Sequence, residues 1–201
     1  MNNDAFYATL SSETLREFAL KTFGDPPSDL EEISKYISNG DRVLEVGCGT
    51  GRIGLPLIQR HNIEYTGVDS NAAYLEMFQK LAGQQPRVEL IKQPIQEISK
   101  QTFDKILFPW TVIADFSELE QKAVLQQAYS LLDEQGLCIL DNPSQNQTPN
   151  QHGTYQPTLF YYQHWKERLG HMGFMSESST YITRTGVERE LTFLAKSDSL
   201  P

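Results

Sequence analysis

Cysteine, basic charge and long apolar runs are what this chain has least of. Its two cysteines, Cys48 and Cys138, both fall in apolar segments that read as strands or strand ends. That placement points to buried free thiols in a reducing compartment, with no disulfide framework, metal ligand or nucleophile among them. Lys and Arg number 17 against 26 Asp and Glu, a formal net charge of −9. So acidic a chain has no field to gather phosphates, and no nucleic-acid partner is expected. No apolar stretch approaches the roughly 20 residues that a bilayer crossing needs. The opening Met1-Asn2-Asn3-Asp4-Ala5-Phe6 lacks the basic region and apolar run of a leader. The expectation is therefore a cytoplasmic protein with no membrane partner. His61, His164 and His171 show no metal-ligand spacing, and no metal is expected.

What the 201 residues do contain is the composition of one ordinary globular domain, 39% hydrophobic and 21% charged. Two helices are expected first. Leu15, Phe18, Ala19 and Phe23 keep a helical period after Ser11-Ser12, and Gly24-Asp25-Pro26-Pro27 ends that run. Ser28 and Glu31 have the spacing of a capping box for a second helix carrying Leu30, Ile33 and Ile37. Strands then alternate with helices. Strands are expected at 42–46, 64–68, 87–91, 105–108 and 137–140, with helices at 53–59, 72–81, 95–99 and 118–132. Such alternation means a parallel sheet covered on both faces. Residues 142–157, rich in Asn, Gln and Pro, read as a long loop. A helix at 159–169 follows, on which Tyr161 and Trp165 share a core face with Leu169 and Met172. Runs at 179–184 and 188–195 around Thr185-Gly186 read as a β-hairpin, placing one antiparallel strand in the sheet.

The segment Val43-Leu44-Glu45-Val46-Gly47-Cys48-Gly49-Thr50-Gly51-Arg52 carries the chemistry. Glycines directly after a strand let the backbone turn tightly and approach a ligand, and the next helix begins with unpaired amides. Glu45 is a carboxylate inside an apolar strand, a costly placement unless it meets a donor or cation. The ammonium of an amino-acid moiety would suit it. Asp69 ends the second strand, 18 residues beyond Gly51, where a carboxylate can accept both hydroxyls of a ribose. A helix-capping role for Asp69 is weakened because Asn71 already stands at the cap. Ser70 and Tyr74 would border an adenine.

Together, residues 43–51 and Gly67-Val68-Asp69 resemble the class I S-adenosylmethionine-dependent methyltransferases. The likeness continues through Phe103-Asp104-Lys105-Ile106-Leu107-Phe108 and Leu131-Leu132-Asp133-Glu134-Gln135-Gly136-Leu137-Cys138-Ile139-Leu140, covering roughly residues 40–142. It implies a Rossmann-like, doubly wound, mostly parallel seven-stranded sheet with helices on both faces and a C-terminal antiparallel hairpin. It also implies a division of one domain into cap helices (1–40), a cofactor-binding half (41–142) and a substrate-side loop, helix and hairpin (143–201). S-adenosylmethionine would be the cofactor. By position, Gly47, Cys48, Gly49 and Gly51 would line its methionine and ribose, Asp69 would hold the ribose, and Phe108 would lie beside the methionine part. Gln93 and Pro94 stand near the adenine, where the family often has an acidic residue.

Gly49-Thr50-Gly51-Arg52-Ile53-Gly54 also satisfies the literal G-x-G-x-x-G of a nicotinamide or flavin binder. Register separates the two. In dinucleotide binders the first glycine follows the strand at once; that place belongs to Gly47, and counting from it puts Arg52 where the third glycine should be. A nicotinamide-dependent oxidoreductase thus stays the alternative enzyme, and a non-catalytic S-adenosylmethionine-binding module the alternative outside enzymes. The expected acceptor is a small molecule enclosed between the segment around Phe6-Tyr7 and residues 142–157. Tyr7, Trp110, His152 and Tyr155 are the acceptor-side candidates. A core role for Trp110 and a solvated-loop role for His152 and Tyr155 stand beside that reading. No residue pair marks a general base.

Overall fold

Short runs rich in Val, Ile, Leu, Tyr and Phe form most strands of the sheet, the first leaving through Gly47 and the second through a turn at Asn71. In a computed structural model, described over residues 4–7, 9–99, 101–145, 157–197 and 200–201, seven strands are joined in the order β3-β2-β1-β4-β5-β7-β6. These are β1 Arg42–Val46, β2 Glu64–Val68, β3 Val88–Ile91, β4 Phe103–Phe108, β5 Leu132–Pro143, β6 Met175–Ile182 and β7 Glu188–Ala195. The first five pair in parallel, and β7 runs against both β5 and β6. β7 is the one antiparallel strand, as expected, and the fold is the doubly wound sheet that the alternation implied.

Helices are α1 Asp4–Tyr7, α2 Ser12–Phe23, α3 Ser28–Ser34, α4 Gly54–Arg60, α5 Ala72–Ala82, α6 Glu118–Leu131 and α7 Tyr162–His171. They cover two apolar layers. On one face Leu44, Ile106, Cys138, Leu140 and Leu194 of the sheet pack under α6 and α7 through Val124, Leu125, Trp165 and Leu169. On the other, Val43, Tyr65, Leu107, Ile139 and Phe193 pack under α3, α4 and α5 through Leu30, Ile33, Leu57 and Phe78. Both cysteines are buried free thiols, as expected.

Several local readings change. Ser11 caps α2, its Oγ accepting from the Thr14 N–H, but Ser28 and Glu31 form no capping box. Pro27 holds the cap position of α3 without a side-chain bond, the Ser28 hydroxyl donates to the Phe23 carbonyl, and Glu31 pairs with Arg184 of the β6–β7 turn. Tertiary partners took both side chains. The expected helix at 95–99 is a single 3₁₀ turn, Ile95–Glu97. β5 extends through Asn142 and Pro143, which read as loop, because β7 pairs with them. β6 starts at Met175 and ends at Ile182, leaving residues 183–187 as the turn. On α7 it is Tyr162 that is buried with Trp165 and Leu169; Tyr161 sits at the cap and Met172 is half-buried.

Candidate functional site

Every parallel strand points its C-terminal end at one edge of the sheet, and there the ligand site of such a fold belongs. At that edge the chain leaves β1 through three glycines with φ of +67°, +53° and +87° at Gly47, Gly49 and Gly51. These are left-handed values that other residues adopt only at a cost. A side chain on Gly49 would meet nothing within 4 Å, whereas one on Gly51 would run into the Phe78 ring. The loop is therefore packed from below at Gly51 and open above Gly49, leaving a cradle of bare backbone.

Asp69 closes this loop. Its Oδ2 accepts the Gly49 N–H at 2.9 Å and its Oδ1 the Asn71 N–H at 2.8 Å. The carboxylate thus sits at the tip of β2 beside the cradle. Asn71 caps α5, accepting from the Ala73 and Tyr74 N–H groups, as expected. Ser70, Gln93 and Pro94 are exposed at the same edge. The Tyr74 hydroxyl has another use: it donates to the carbonyls of Tyr7 and Leu10 at 2.8 and 3.1 Å. The Tyr7 hydroxyl in turn donates to Asp115 at 3.3 Å, so the N-terminal segment is strapped between the ends of β2 and β4.

Below the loop, Glu45 is fully buried and accepts the Tyr65 hydroxyl at 2.6 Å. Burial pushes its carboxyl up to about 8, against the lowering effects of Tyr65 and the Arg52 charge. Cys48 is buried, its thiol raised first by burial and then by Glu45 and Asp69. The Phe108 ring lies wholly in the apolar layer under α6, so only its backbone at the end of β4 faces the edge.

Beyond Phe108 the chain makes a turn that periodicity gave no sign of. Trp110 and Thr111 have φ of 48° and 65°, a left-handed pair costing about 1–3 kcal/mol each for such residues. Asp141, fully buried at the end of β5, holds this turn: its Oδ2 accepts the Trp110 N–H and its carbonyl the Thr111 N–H. Arg189 of β7 pairs with Asp141 at 2.8 Å and donates to the Thr111 hydroxyl. Nearby, Asp29 of α3 binds Arg52 through both oxygens, at 2.9 and 2.6 Å. The Phe23 ring is close to both cations, 4.8 Å from the Arg52 guanidinium and 5.1 Å from that of Arg189. Trp110 packs edge-on against Phe23 and beneath Arg52.

These four ionic residues escape helical or strand periodicity. The signal that could have found two of them was the one that singled out Glu45, since Asp141 and Arg189 are also charges in apolar strands. His152 and Tyr155 lie outside the described residues. Of the histidines without an expected role, His61 bonds Ser34 and the other two are exposed. Among the described residues no group of three His, Cys, Asp or Glu could hold a metal, and no helix is long and apolar enough to cross a membrane.

The family profile described as "Methyltransferase domain" matches residues 43–136, the stretch from β1 to the start of β5. A curated protein of Geobacillus sp. strain WCH70 named "Putative methyltransferase" is 27% identical over 176 residues, covering 84% of this chain. The chain spans 66% of that relative's length. Among solved structures, the magnesium protoporphyrin IX methyltransferase of Synechocystis PCC 6803 with bound S-adenosylhomocysteine superposes with a TM-score of 0.66 at 17% identity, over 83% of this chain and 81% of that one. The [4+2]-cyclase SpnF superposes at 0.71 with 13% identity, over 87% and 84%. At such identities the structural likeness speaks for the fold. Together these findings show that residues 43–136 are similar to methyltransferase domains and that the fold is one shared with S-adenosylmethionine-dependent methyltransferases.

Proposed function

We propose that this protein transfers the methyl group of S-adenosylmethionine to a small-molecule acceptor. The observation that carries the reading is the open backbone cradle over Gly49 with Asp69 beside it. The residues present fit the cofactor: Gly47, Cys48, Gly49 and Gly51 offer backbone to its methionine and ribose, Asp69 offers lone pairs to its ribose hydroxyls, and Ser70, Tyr74, Gln93 and Pro94 surround the place for an adenine. Glu45 supplies a buried carboxyl that a neighbouring ammonium would favour in its ionised form, and the backbone at Phe108 borders the methionine part.

The cofactor, when bound, supplies a methyl group already activated on a sulfonium, so the chain's work is alignment and exclusion of water. The strained Trp110-Thr111 turn, locked by Asp141 and Arg189, presents a rigid wall between cofactor and acceptor. Tyr7, strapped through Tyr74 and Asp115, forms the cover on the other side. His152 and Tyr155 belong to the acceptor side in this reading by their place after β5. The register of the glycines, with Gly47 directly after β1 and Arg52 in the third place, argues against a nicotinamide cofactor.

Calorimetry with S-adenosylhomocysteine and NAD side by side tests the cofactor. The former should bind and the latter should not. Asp69→Ala should weaken binding by about 1.5–3 kcal/mol, the value of hydrogen bonds to a charged group. Unchanged affinity in a folded Asp69→Ala protein would remove the site assignment, and a methyl-transfer screen over small metabolites then tests the activity.

A further inference from the structure

The buried carboxyl and guanidinium groups described so far all have partners: Asp29 with Arg52, Asp141 with Arg189, Glu45 with Tyr65. One patch of buried polar side chains is not. On the sheet face beneath α6 and α7, the β5–β7 pairs turn from apolar to polar toward the C-terminal end of β5. Cys138 stands opposite Leu194, Leu140 opposite Thr192, and Asn142 opposite Glu190. All six residues are buried, as is Ser144 two positions beyond Asn142. Asn142 Nδ2 and Oδ1, Ser144 Oγ, Glu190 Oε2 and Thr192 Oγ1 are sealed from solvent and have no hydrogen-bond partner among the described residues. Strand alternation makes Asn142, Glu190 and Thr192 direct or diagonal neighbours, with side chains about 4.5–8 Å apart. Each bare buried polar atom costs about 1–3 kcal/mol, and native interiors hold few of them. Five in one place form a set that a single polar guest could satisfy together.

We infer that this cluster is the subsite for the polar head of the methyl acceptor, and that the head is a protonated amine; the inference rests on the methyl-transfer reading above. Position supports it. In the order β1-β4-β5-β7, strands about 4.8 Å apart put β5 about 10 Å and β7 about 15 Å from the glycine-bearing strand. In this reading the head lies on Asn142 and Glu190 and the reacting atom at the Trp110-Thr111 turn, so binding must open the sealed cluster. Chemistry decides the class. The single formal charge among these residues is the Glu190 carboxylate; Arg189 beside it in sequence points to the opposite face and is taken by Asp141 and Thr111. Only the Asn142 amide must donate, while Glu190 Oε2, Asn142 Oδ1 and two hydroxyls can accept. An ammonium group brings three donors and a positive charge to that set. A carboxylate would be repelled by Glu190, and an apolar group would leave all five atoms unmet.

The test uses isotope-labelled full-length protein titrated with benzylammonium, benzyl alcohol and benzoate, followed on the Asn142 side-chain amide signals. Benzylammonium should move those signals saturably, benzyl alcohol should bind about tenfold more weakly and benzoate should not bind. Glu190→Gln should lower benzylammonium affinity about tenfold. Thr192→Val should melt above the wild type, because it removes an unmet hydroxyl and keeps the shape of the side chain. Signals that ignore benzylammonium, or that follow benzoate equally, would overturn the inference. So would a Thr192→Val protein that melts several degrees lower, which would mean that buried water satisfies the hydroxyl in a structural role. S-adenosylhomocysteine calorimetry on the same samples separates the two readings. Its binding without an ammonium response removes the subsite alone, and its failure to bind removes the acceptor assignment together with the methyltransferase.

Discussion

At Glu45 one substitution tests stability and the proposed ligand role together. In the folded chain its carboxyl titrates near 8, against 4.5 for the unperturbed group, chiefly because burial disfavours the charge. The raised value means that the folded state holds a proton which the unfolded chain has already released. Stability is therefore full below about pH 4.5, falls as the pH rises toward 8, and is level above it. Glu45→Gln removes this dependence while its amide oxygen still accepts from Tyr65. The melting temperature of the variant, relative to wild type, should climb by about 5 °C or more between pH 5 and pH 8. If Glu45 also serves the cofactor's ammonium, S-adenosylhomocysteine affinity should drop about tenfold in the same variant. Normal affinity would confine Glu45 to its partnership with Tyr65. The cost of Glu45 was legible from its apolar strand; Tyr65, 20 residues away in sequence, was not.

Between elements, the N-terminal helices are joined to the glycine loop by the Asp29–Arg52 pair, Asp29 being wholly buried and Arg52 20% exposed. Removing one partner leaves the other charge buried and bare, whereas removing both does not. Arg52→Met and Asp29→Leu should each destabilise by about 3 kcal/mol or more in urea unfolding, and the double variant should recover most of that loss. Costs that simply add would mean that the pair is incidental. Helix existence was readable here from the spacing of Phe18, Ala19 and Phe23, and of Leu30 and Ile33. The role of Ser28 and Glu31 was misread because a capping box is a local pattern. Arg184, more than 150 residues away, competes for both side chains.

At the scale of the molecule, the segment before α2 lies over the edge where β2 and β4 end, tied by Tyr74 to Tyr7 and Leu10 and by Tyr7 to Asp115. Under the proposed function, a cover of this kind matters more for placing an acceptor than for holding the cofactor. Deleting residues 1–9 should leave S-adenosylhomocysteine affinity within about tenfold of wild type. It should lower methyl transfer to an acceptor found by the screen by about a hundredfold, the scale of a misplaced reacting group. Full transfer by the truncated protein would put the acceptor site elsewhere.

The sequence by itself determined the class of fold and marked the edge proposed for the cofactor. Strand–helix alternation is a periodic property, and three glycines after a strand with an aspartate at the end of the next are fixed by local backbone demands. It also marked the buried cost of Glu45. Contacts between distant segments were decided only by the tertiary structure. β7 drew Asn142 and Pro143 out of a loop and into β5. Asp141 and Arg189 could be recognised as the brace of a left-handed Trp110-Thr111 turn only once β4, β5 and β7 lay side by side. The unmet polar atoms of Asn142, Ser144, Glu190 and Thr192 likewise exist as a cluster only through antiparallel register. A residue's own chemistry and its near neighbours are written along the chain, whereas the partner that satisfies a buried charge, or fails to, is set by which strands the fold brings together.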